Sequence, residues 1–184
     1  MFTGIVEEVG KVIFIRSNTM SLATSMDDIR EGDSVMVDGV CLTVTGMSSG
    51  EVRMDIGRET IRKTALARLR PGAHVNMERA MRLSDRINGH LVYGHVTEVG
   101  KVISVRRSAN TRVMNISASR RFLDLLVEKG SVAVNGVSLT VNSITRSYFS
   151  VGIIPETVRR TNLGDLSCSS LVNLEPDMLL INAK

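Results

Sequence analysis

The segment VMVDGVCLTV, residues 35–44, recurs as VAVNGVSLTV at residues 132–141, with seven of ten positions identical. Three further segments recur in the same order: residues 8–13 at 98–103, 59–64 at 156–161 and 75–78 at 172–175. Four collinear matches indicate an internal duplication. The chain is therefore expected to consist of two homologous halves, residues 1–88 and 89–184.

Each half is rich in short segments typical of β-strands. Runs such as Val9–Ile15, Val35–Thr45 and Val52–Ile56 are rich in β-branched residues and are bounded by Gly, Ser, Asn or Asp. Helix is sparse, with one better candidate at Ser119–Lys129 and a shorter counterpart at Met26–Arg30. Many short strands favour a closed barrel, which leaves no exposed sheet edge. We predict an all-β chain of two tandem β-barrels.

Composition excludes several classes of protein. Hydrophobic residues make up 43% and charged residues 23% of the 184 residues, as in folded globular proteins and unlike disordered chains. The longest apolar runs have four residues, whereas a membrane-spanning helix needs about 20. The first ten residues contain neither a basic leader nor an apolar stretch typical of a secretory signal. These features predict a cytoplasmic protein that does not associate with membranes.

Charge and metal-ligating residues give no strong functional signal. The net charge is +4, but the basic residues are scattered and the chain has no Trp, two Tyr and four Phe, so we expect no nucleic-acid partner. Two cysteines, Cys41 and Cys168, cannot form a disulfide framework. His74, His90 and His95 are too few and too poorly spaced for a metal site. No metal is expected.

The repeated strand carries small polar residues. Strict alternation assigns one face to Val35, Val37, Gly39, Cys41 and Thr43 and the other to Met36, Asp38, Val40, Leu42 and Val44. In the second copy, Gly136, Ser138 and Thr140 share a face. Two interpretations stay open: these residues satisfy one another on a solvated surface, or they bind a flat polar ligand. The sequence pairs no base with the Cys or the Ser, so it contains no recognisable triad.

Five ordered motifs carry a resemblance to a known family: MFTGIVEEVG (1–10), DGVCLTVT (38–45), GHLVYGHV (89–96), NGVSLTVN (135–142) and IPETVRRTNLG (154–164). Together they resemble riboflavin synthase. The resemblance implies two six-stranded Greek-key barrels, each binding one 6,7-dimethyl-8-ribityllumazine. It also implies a dismutation that moves a four-carbon unit between two such molecules, giving riboflavin and 5-amino-6-ribitylamino-uracil. No cofactor or metal is implied.

The resemblance implies five catalytic residues: Cys41, Thr43, His95, Ser138 and Thr140. Cys41 and Ser138 would handle proton transfer or transient addition at ring carbons. Thr43 and Thr140 would bond the pteridine heteroatoms, and His95 would shuttle a proton.

Further residues are implied as substrate contacts. Those of the first barrel are Gly4, Ile5, Val6, Leu42, Asp55, Ile56, Gly57, Arg58, Glu59 and Thr60. Those of the second barrel, grouped with His95, are Gly94, Val96, Lys129, Leu139, Ile154, Pro155, Glu156 and Thr157.

Two departures from the family pattern concern the turns and the tail. Many members carry Asn in the first barrel motif and Asp in the second, whereas this chain has Asp38 and Asn135, which weakens a mechanism that needs a carboxylate beside Ser138. The family's C-terminal helix drives trimer formation, but here only residues 176–184 remain, so a homotrimer is expected with a weakened contact.

The resemblance also admits association with lumazine synthase, and one rival function. A non-catalytic lumazine-binding relative has the same barrels but loses hydroxyl and thiol positions in one half. Both halves here keep the Cys/Ser-x-Thr pattern, and His95 is present, which favours the enzyme.

Overall fold

The computed structural model describes residues 1–16, 18–108 and 110–182. The first barrel contains six antiparallel strands: β1 (Glu8–Arg16), β2 (Thr19–Ala23), β3 (Ser34–Val37), β4 (Val40–Ser48), β5 (Glu51–Asp55) and β6 (His74–Arg79). They close in the order β1-β2-β5-β4-β3-β6, with β6 returning to β1. A short helix α1 (Arg58–Lys63) and a 3-10 turn (Ala65–Arg68) connect β5 to β6.

The second barrel repeats this topology. Its strands are β7 (Glu98–Ser108), β8 (Thr111–Ser117), β9 (Ser131–Val134), β10 (Val137–Ile144), β11 (Tyr148–Ile153) and β12 (Leu171–Pro176). The helical segments are α2 (Arg120–Leu123), α3 (Pro155–Arg160), a 3-10 turn (Asn162–Gly164) and α4 (Met178–Asn182). In each barrel the second strand pairs with the fifth, as in a Greek key. The prediction of two tandem six-stranded barrels with few short helices is confirmed.

The repeated strand is a hairpin rather than one continuous strand. Asp38 and Gly39 both have left-handed backbones, with φ of 46° and 81°, and they turn β3 back onto β4. Such turns match the twist of the paired strands. The prediction that Val35 and Val37 share a face with Cys41 is therefore wrong, because both valines are buried in the barrel core on the side of the inward-facing residues of β4.

The helix prediction at residues 119–129 is too long, and the one at residues 26–30 is wrong. Helix α2 ends after four residues, and the Ser119 side chain accepts the Phe122 N–H at its start. Beyond it, Lys129 has a left-handed backbone, φ 65°, and donates its N–H to Val141 O, which fixes a turn before β9. Residues 26–30 form no helix. There the Arg30 N–H bonds the Asp33 side chain, a local bond that competes with helix formation.

Each barrel encloses its own apolar core, and a small third cluster lies between the two. This cluster contains Phe2, Met36, Val92 and Ala133, each at most 1% exposed. Phe2 and Val92 are related by the 90-residue repeat and bond each other reciprocally, with N···O distances of 2.8 and 3.0 Å. The two halves therefore meet about a local two-fold axis that passes near this pair.

A buried polar network joins the barrels beside that cluster. Asn76 Nδ2 donates to Asn135 O at 2.9 Å, and Asn173 Nδ2 donates to Asp38 O at 2.8 Å. Asn162 Nδ2 adds a bond of 2.8 Å to Asp38 Oδ1. Asp38 and Asn135, the two positions that depart from the family pattern, thus lie in the contact between barrels.

The Asp38 carboxyl makes the stability of this contact depend on pH. Burial raises the pKa of Asp38 from 3.8 to about 7. Because the folded pKa exceeds the unfolded value, the stabilisation is complete below pH 4 and is lost as the pH rises through 7. Asp38→Asn keeps the acceptor oxygen for Asn162, so the variant should exceed the parent in unfolding free energy by about 1–3 kcal/mol at pH 8 and by less at pH 5. Urea unfolding at both pH values measures this.

The substitution Asn135→Asp, at the position that the repeat equates with Asp38, is the control for Asp38→Asn. Asn135 donates through Nδ2 towards Asn162 Oδ1 at 3.4 Å, so Asn135→Asp would bring two acceptors together. That variant should lose stability as the pH rises. Parallel stability curves for the parent and Asp38→Asn would contradict the assignment.

Candidate functional site

The N-terminal segment of each half lies against the opposite barrel. We call the surface around Cys41 and Gly94 the first cleft and the surface around Ser138 and Gly4 the second cleft. Ser138, on β10, donates its N–H to Gly4 O at 2.8 Å, and Cys41, on β4, donates its N–H to Gly94 O at 2.9 Å. The two contacts are related by the sequence repeat. Each cleft therefore combines a strand of one barrel with a rim from the other half.

The apolar residues of these rims confirm the crossing. Val6 packs into the core of the second barrel, and Val96 packs against the core of the first. The grouping of residues 4–6 with the first barrel and of residues 94–96 with the second is thus corrected. We call residues 2–6 and 92–96 the crossing segments.

Glycine is required where each crossing segment meets its cleft. A Cβ at Gly4 would lie 2.6 Å from Ser138 Cβ, and one at Gly94 would lie 2.6 Å from Cys41 Cβ. Both glycines are left-handed, with φ of 76° and 77°. This close approach lets the rim carbonyls reach the strand amides.

In the first cleft, Cys41 is half-buried and Thr43 is exposed on the outer face of β4. Asp55 pairs with Thr43 in the strand register and accepts a long bond from Thr19 Oγ1, 3.4 Å. His95 is exposed and stacks on Tyr93, with ring centroids 6.3 Å apart. His95 therefore belongs to the rim of the first cleft, not the second.

The second cleft contains a pair that sequence reasoning missed. Ser138 Oγ lies 2.7 Å from His90 Nδ1, and His90 is 8% exposed. Its Nε2 has no hydrogen-bond partner among the described residues. Burial lowers the pKa of His90, and the nearby Asp177 charge opposes this shift. His90 thus places an imidazole nitrogen within hydrogen-bond distance of the Ser138 hydroxyl, and an imidazole in such a position can act as a general base.

Helices α1 and α3 and the residues that precede them contain the predicted substrate contacts at residues 57–60 and 154–157. Glu59 in α1 pairs with Lys63 at 2.6 Å, and Glu156 in α3 pairs with Arg160 at 2.5 Å and with Arg159. Gly57, Arg58, Ile154 and Pro155 are exposed near these helix starts, and Thr60 and Thr157 are half-buried.

Three predicted substrate contacts are core residues, and two other predicted site residues are exposed. Leu42, Ile56 and Leu139 are at most 7% exposed and belong to the barrel cores, so they support the clefts from behind. Thr140 is exposed on β10 beside Ser138, and Lys129 is exposed at the turn before β9.

Neither metal clusters nor membrane helices occur in the described part of the chain. Among residues 1–16, 18–108 and 110–182, no three His, Cys, Asp or Glu side chains converge on a metal site. Within the same ranges, no helix has the length and apolar character to cross a membrane.

Comparison with known proteins identifies the family. Residues 3–80 and 93–177 match the family model of the lumazine binding domain. Riboflavin synthase from Actinobacillus pleuropneumoniae is 39% identical over 185 residues, covering 97% of this chain and 86% of the relative. The chain belongs to the riboflavin synthase family. Riboflavin synthase from Mycobacterium tuberculosis strain H37Rv is also 39% identical, covering 97% of this chain and 94% of the relative.

Solved structures agree with the fold. A LumP structure complexed with 6,7-dimethyl-8-(1'-D-ribityl) lumazine is 25% identical, with a TM-score of 0.84 over 95% of this chain and 98% of that one. A LumP structure with riboflavin, at 24% identity and a TM-score of 0.87, shares the fold over 96% of this chain and 99% of that one. The relatives establish that the chain is a transferase of riboflavin biosynthesis.

This chain has Asp38 and Asn135 where many members of the riboflavin synthase family have Asn and Asp, and the hydrogen bonds of the two side chains differ accordingly. Asn162 donates to the Asp38 carboxylate, whereas the repeat places Ala65, which has no side-chain donor, at the corresponding position of the first half. The Asp38 carboxylate therefore accepts a side-chain N–H, from Asn162, whereas Asn135 Oδ1 accepts the backbone N–H of Asn173. The side chain within hydrogen-bond distance of the Ser138 hydroxyl is that of His90.

Proposed function

We propose that this enzyme dismutates 6,7-dimethyl-8-ribityllumazine, moving a four-carbon unit from one molecule to another to give riboflavin and 5-amino-6-ribitylamino-uracil. The observation that carries the proposal is the pair of related clefts, each with a thiol or hydroxyl and a Thr two residues later. Since both substrates are the same compound, two cavities of common origin suit the reaction. Holding them in reacting orientation can lower the barrier by about 7–11 kcal/mol.

The chemistry of the two clefts differs. In the second cleft, His90 accepts a proton from the Ser138 hydroxyl, which assists addition at a ring carbon or proton removal from the acidic 7-methyl group of the lumazine. In the first cleft, Cys41 is the counterpart of Ser138, and the exposed His95 follows Gly94, whose C=O accepts the Cys41 N–H. Thr43 and Thr140 offer hydroxyls to the ring heteroatoms.

We propose that the clefts act between subunits of a homotrimer, the first barrel of one subunit facing the second barrel of its neighbour. Cys41 and Ser138 are only half-buried, and Ile5 and Ile154 are 43% and 54% exposed, so these side chains are available to face a neighbouring subunit. Of the short tail at 176–184, α4 is described and residues 183 and 184 lie outside the described residues. Light scattering tests this state, and a strict monomer with full activity would contradict it.

The domain boundaries, the location and a further partner complete the proposal. Residues 1–88 and 89–184 each supply one barrel, although each half also contributes its crossing segment to the other. We propose a cytoplasmic location and association with lumazine synthase, testable by fractionation and by co-purification.

The decisive assay is incubation with the lumazine substrate. We expect riboflavin absorbance and fluorescence to appear, with two lumazine molecules consumed for each riboflavin formed, and calorimetry with riboflavin to show two sites per chain. Cys168→Ser, which changes an exposed thiol bonded to Ile103 O, serves as the matched control and should keep full activity.

A non-catalytic lumazine-binding protein is the second candidate, favoured by the similarity to the LumP structure with bound lumazine. Binding without turnover would establish that function. Absence of both binding and turnover would overturn both proposals.

A further inference from the structure

A buried carboxylate at the end of β6 holds the first crossing segment. Glu78 Oε1 accepts the Thr3 N–H at 2.6 Å and the Thr3 hydroxyl at 2.9 Å, and Oε2 accepts the Gly4 N–H at 3.1 Å. Three donors from two consecutive residues thus converge on one carboxylate, although Glu78 belongs to the first barrel and Gly4 lines the second cleft.

The second half repeats the arrangement. Glu175, on β12, accepts the Tyr93 N–H at 2.6 Å through Oε1 and the His95 N–H at 2.8 Å through Oε2. Glu175 belongs to the second barrel, whereas the segment that it holds forms the rim of the first cleft beside Cys41. The sequence repeat relates the two glutamates by 97 residues.

Neither carboxylate is placed for charge pairing. Each is 3% exposed, and among the described residues neither forms an ion pair with Lys or Arg. Burial raises the pKa of both groups, that of Glu78 to about 7, while bonds from the crossing segments oppose the shift. The neighbouring Glu7 charge also raises the Glu78 pKa, and His95 lowers that of Glu175. Burying a carboxyl group costs desolvation free energy. When its hydrogen-bond donors are mainly backbone N–H groups, these bonds fix the position of the backbone that donates them.

The backbone of Gly4 is hydrogen-bonded to both barrels. Its N–H donates to Glu78 of the first barrel, while its C=O accepts the Ser138 N–H of the second. If the bonds to the carboxylate are weakened, Gly4 loses its hydrogen bond to the first barrel, while Phe2 and Thr3 keep their bonds to Val92 and His90. The carbonyl can then withdraw from Ser138, and the second cleft loses its fixed width.

We propose that Glu78 and Glu175 are positioning residues that act across the barrel boundary, each fixing the ligand cleft of the opposite barrel. The inference rests on the proposed function of the clefts as lumazine sites. Neither cleft then depends on its own barrel alone. A substitution inside one barrel changes the affinity of the cleft on the other barrel for its ligand.

The test replaces each carboxylate by its amide. Glu78→Gln keeps the size but offers one acceptor oxygen and turns an NH2 group toward backbone donors. With riboflavin as the probe, binding at each cleft is followed by the ¹⁵N amide signals of Ser138 and Cys41. Glu78→Gln should weaken binding about tenfold at Ser138 and leave Cys41 within twofold, while Glu175→Gln should do the reverse. In turnover, KM should rise more than kcat falls.

Three further variants separate positioning from loss of structure. Glu7→Gln is the charge control, because Glu7 pairs with Arg79 on the surface at 2.6 Å and does not bond Gly4. It should leave both clefts unchanged. Thr3→Val removes one donor to Glu78 and should weaken the second cleft about threefold, even if Glu78→Gln fails to fold. Glu78→Asp, which keeps both oxygens, should recover part of the affinity.

The outcomes are distinct. Equal weakening of both clefts, or weakening of the cleft in the mutated barrel, overturns the crossed assignment while leaving the proposed function intact. Failure of the parent protein to bind riboflavin or lumazine at either cleft overturns the proposed function and this inference together.

Discussion

Ser138→Ala is expected to lower the rate of riboflavin formation about 100- to 1,000-fold while substrate binding changes little. The hydroxyl lies 2.7 Å from His90 Nδ1. In the proposed mechanism, its loss removes both the group that adds to the ring or transfers the proton and the hydrogen-bond partner of the base. Steady-state kinetics with the lumazine substrate measure kcat and KM separately. A fall in kcat at nearly constant KM identifies an interaction made in the transition state.

The same loss is expected for His90→Gln, and the double variant should be little worse than either single one, because the two residues act as a unit. Cys41→Ser is the comparison in the first cleft, since it keeps a hydrogen-bonding group, and should cost less than about tenfold. Unchanged turnover in Ser138→Ala would remove the pair from the mechanism.

Gly94→Ala is expected to reduce the free energy of unfolding by about 3–5 kcal/mol and to abolish ligand binding at the first cleft. The added Cβ would lie 2.6 Å from Cys41 Cβ and 2.8 Å from Cys41 N, at a backbone position with φ of 77°. The crossing segment cannot move away without breaking the bond from the Cys41 N–H to Gly94 O. Urea unfolding and riboflavin titration report the two effects.

Gly32→Ala separates conformational strain from the close contact. Gly32 has φ of 91°, and a Cβ there would meet no heavy atom within 4 Å. The strain alone should cost about 1–2 kcal/mol and leave binding intact. The repeat even places Lys129, at φ 65°, at the matching position of the second half. Equal losses in the two variants would contradict the steric explanation.

The repeat in the sequence was sufficient to predict the two barrels, but not the crossing of their first segments. An internal alignment equates Gly4 with Gly94 and Cys41 with Ser138, and it does not show which barrel each glycine contacts. That choice depends on packing of Phe2 against Val92 between the halves, which involves residues far apart in sequence.

Two other differences between the predictions and the structure concern the hairpin turns and His90. The Asp38-Gly39 and Asn135-Gly136 pairs between alternating apolar residues are strong hairpin signals, so the turn could have been predicted. The contact of His90 with Ser138 could not, because it joins residues 48 positions apart in the sequence. Since His95 stands in the same motif, the sequence offers no basis for choosing between them.

The crossing segments bear on how such a chain could arise. A single-barrel ancestor would have lacked the rim of its own cleft and would have had to exchange N-terminal arms with a second copy, in the manner of a domain-swapped dimer. Joining the two copies in one chain makes that exchange intramolecular, so assembly of the rims does not depend on protein concentration. Once joined, the two copies could diverge, one keeping a thiol and the other a serine with its histidine.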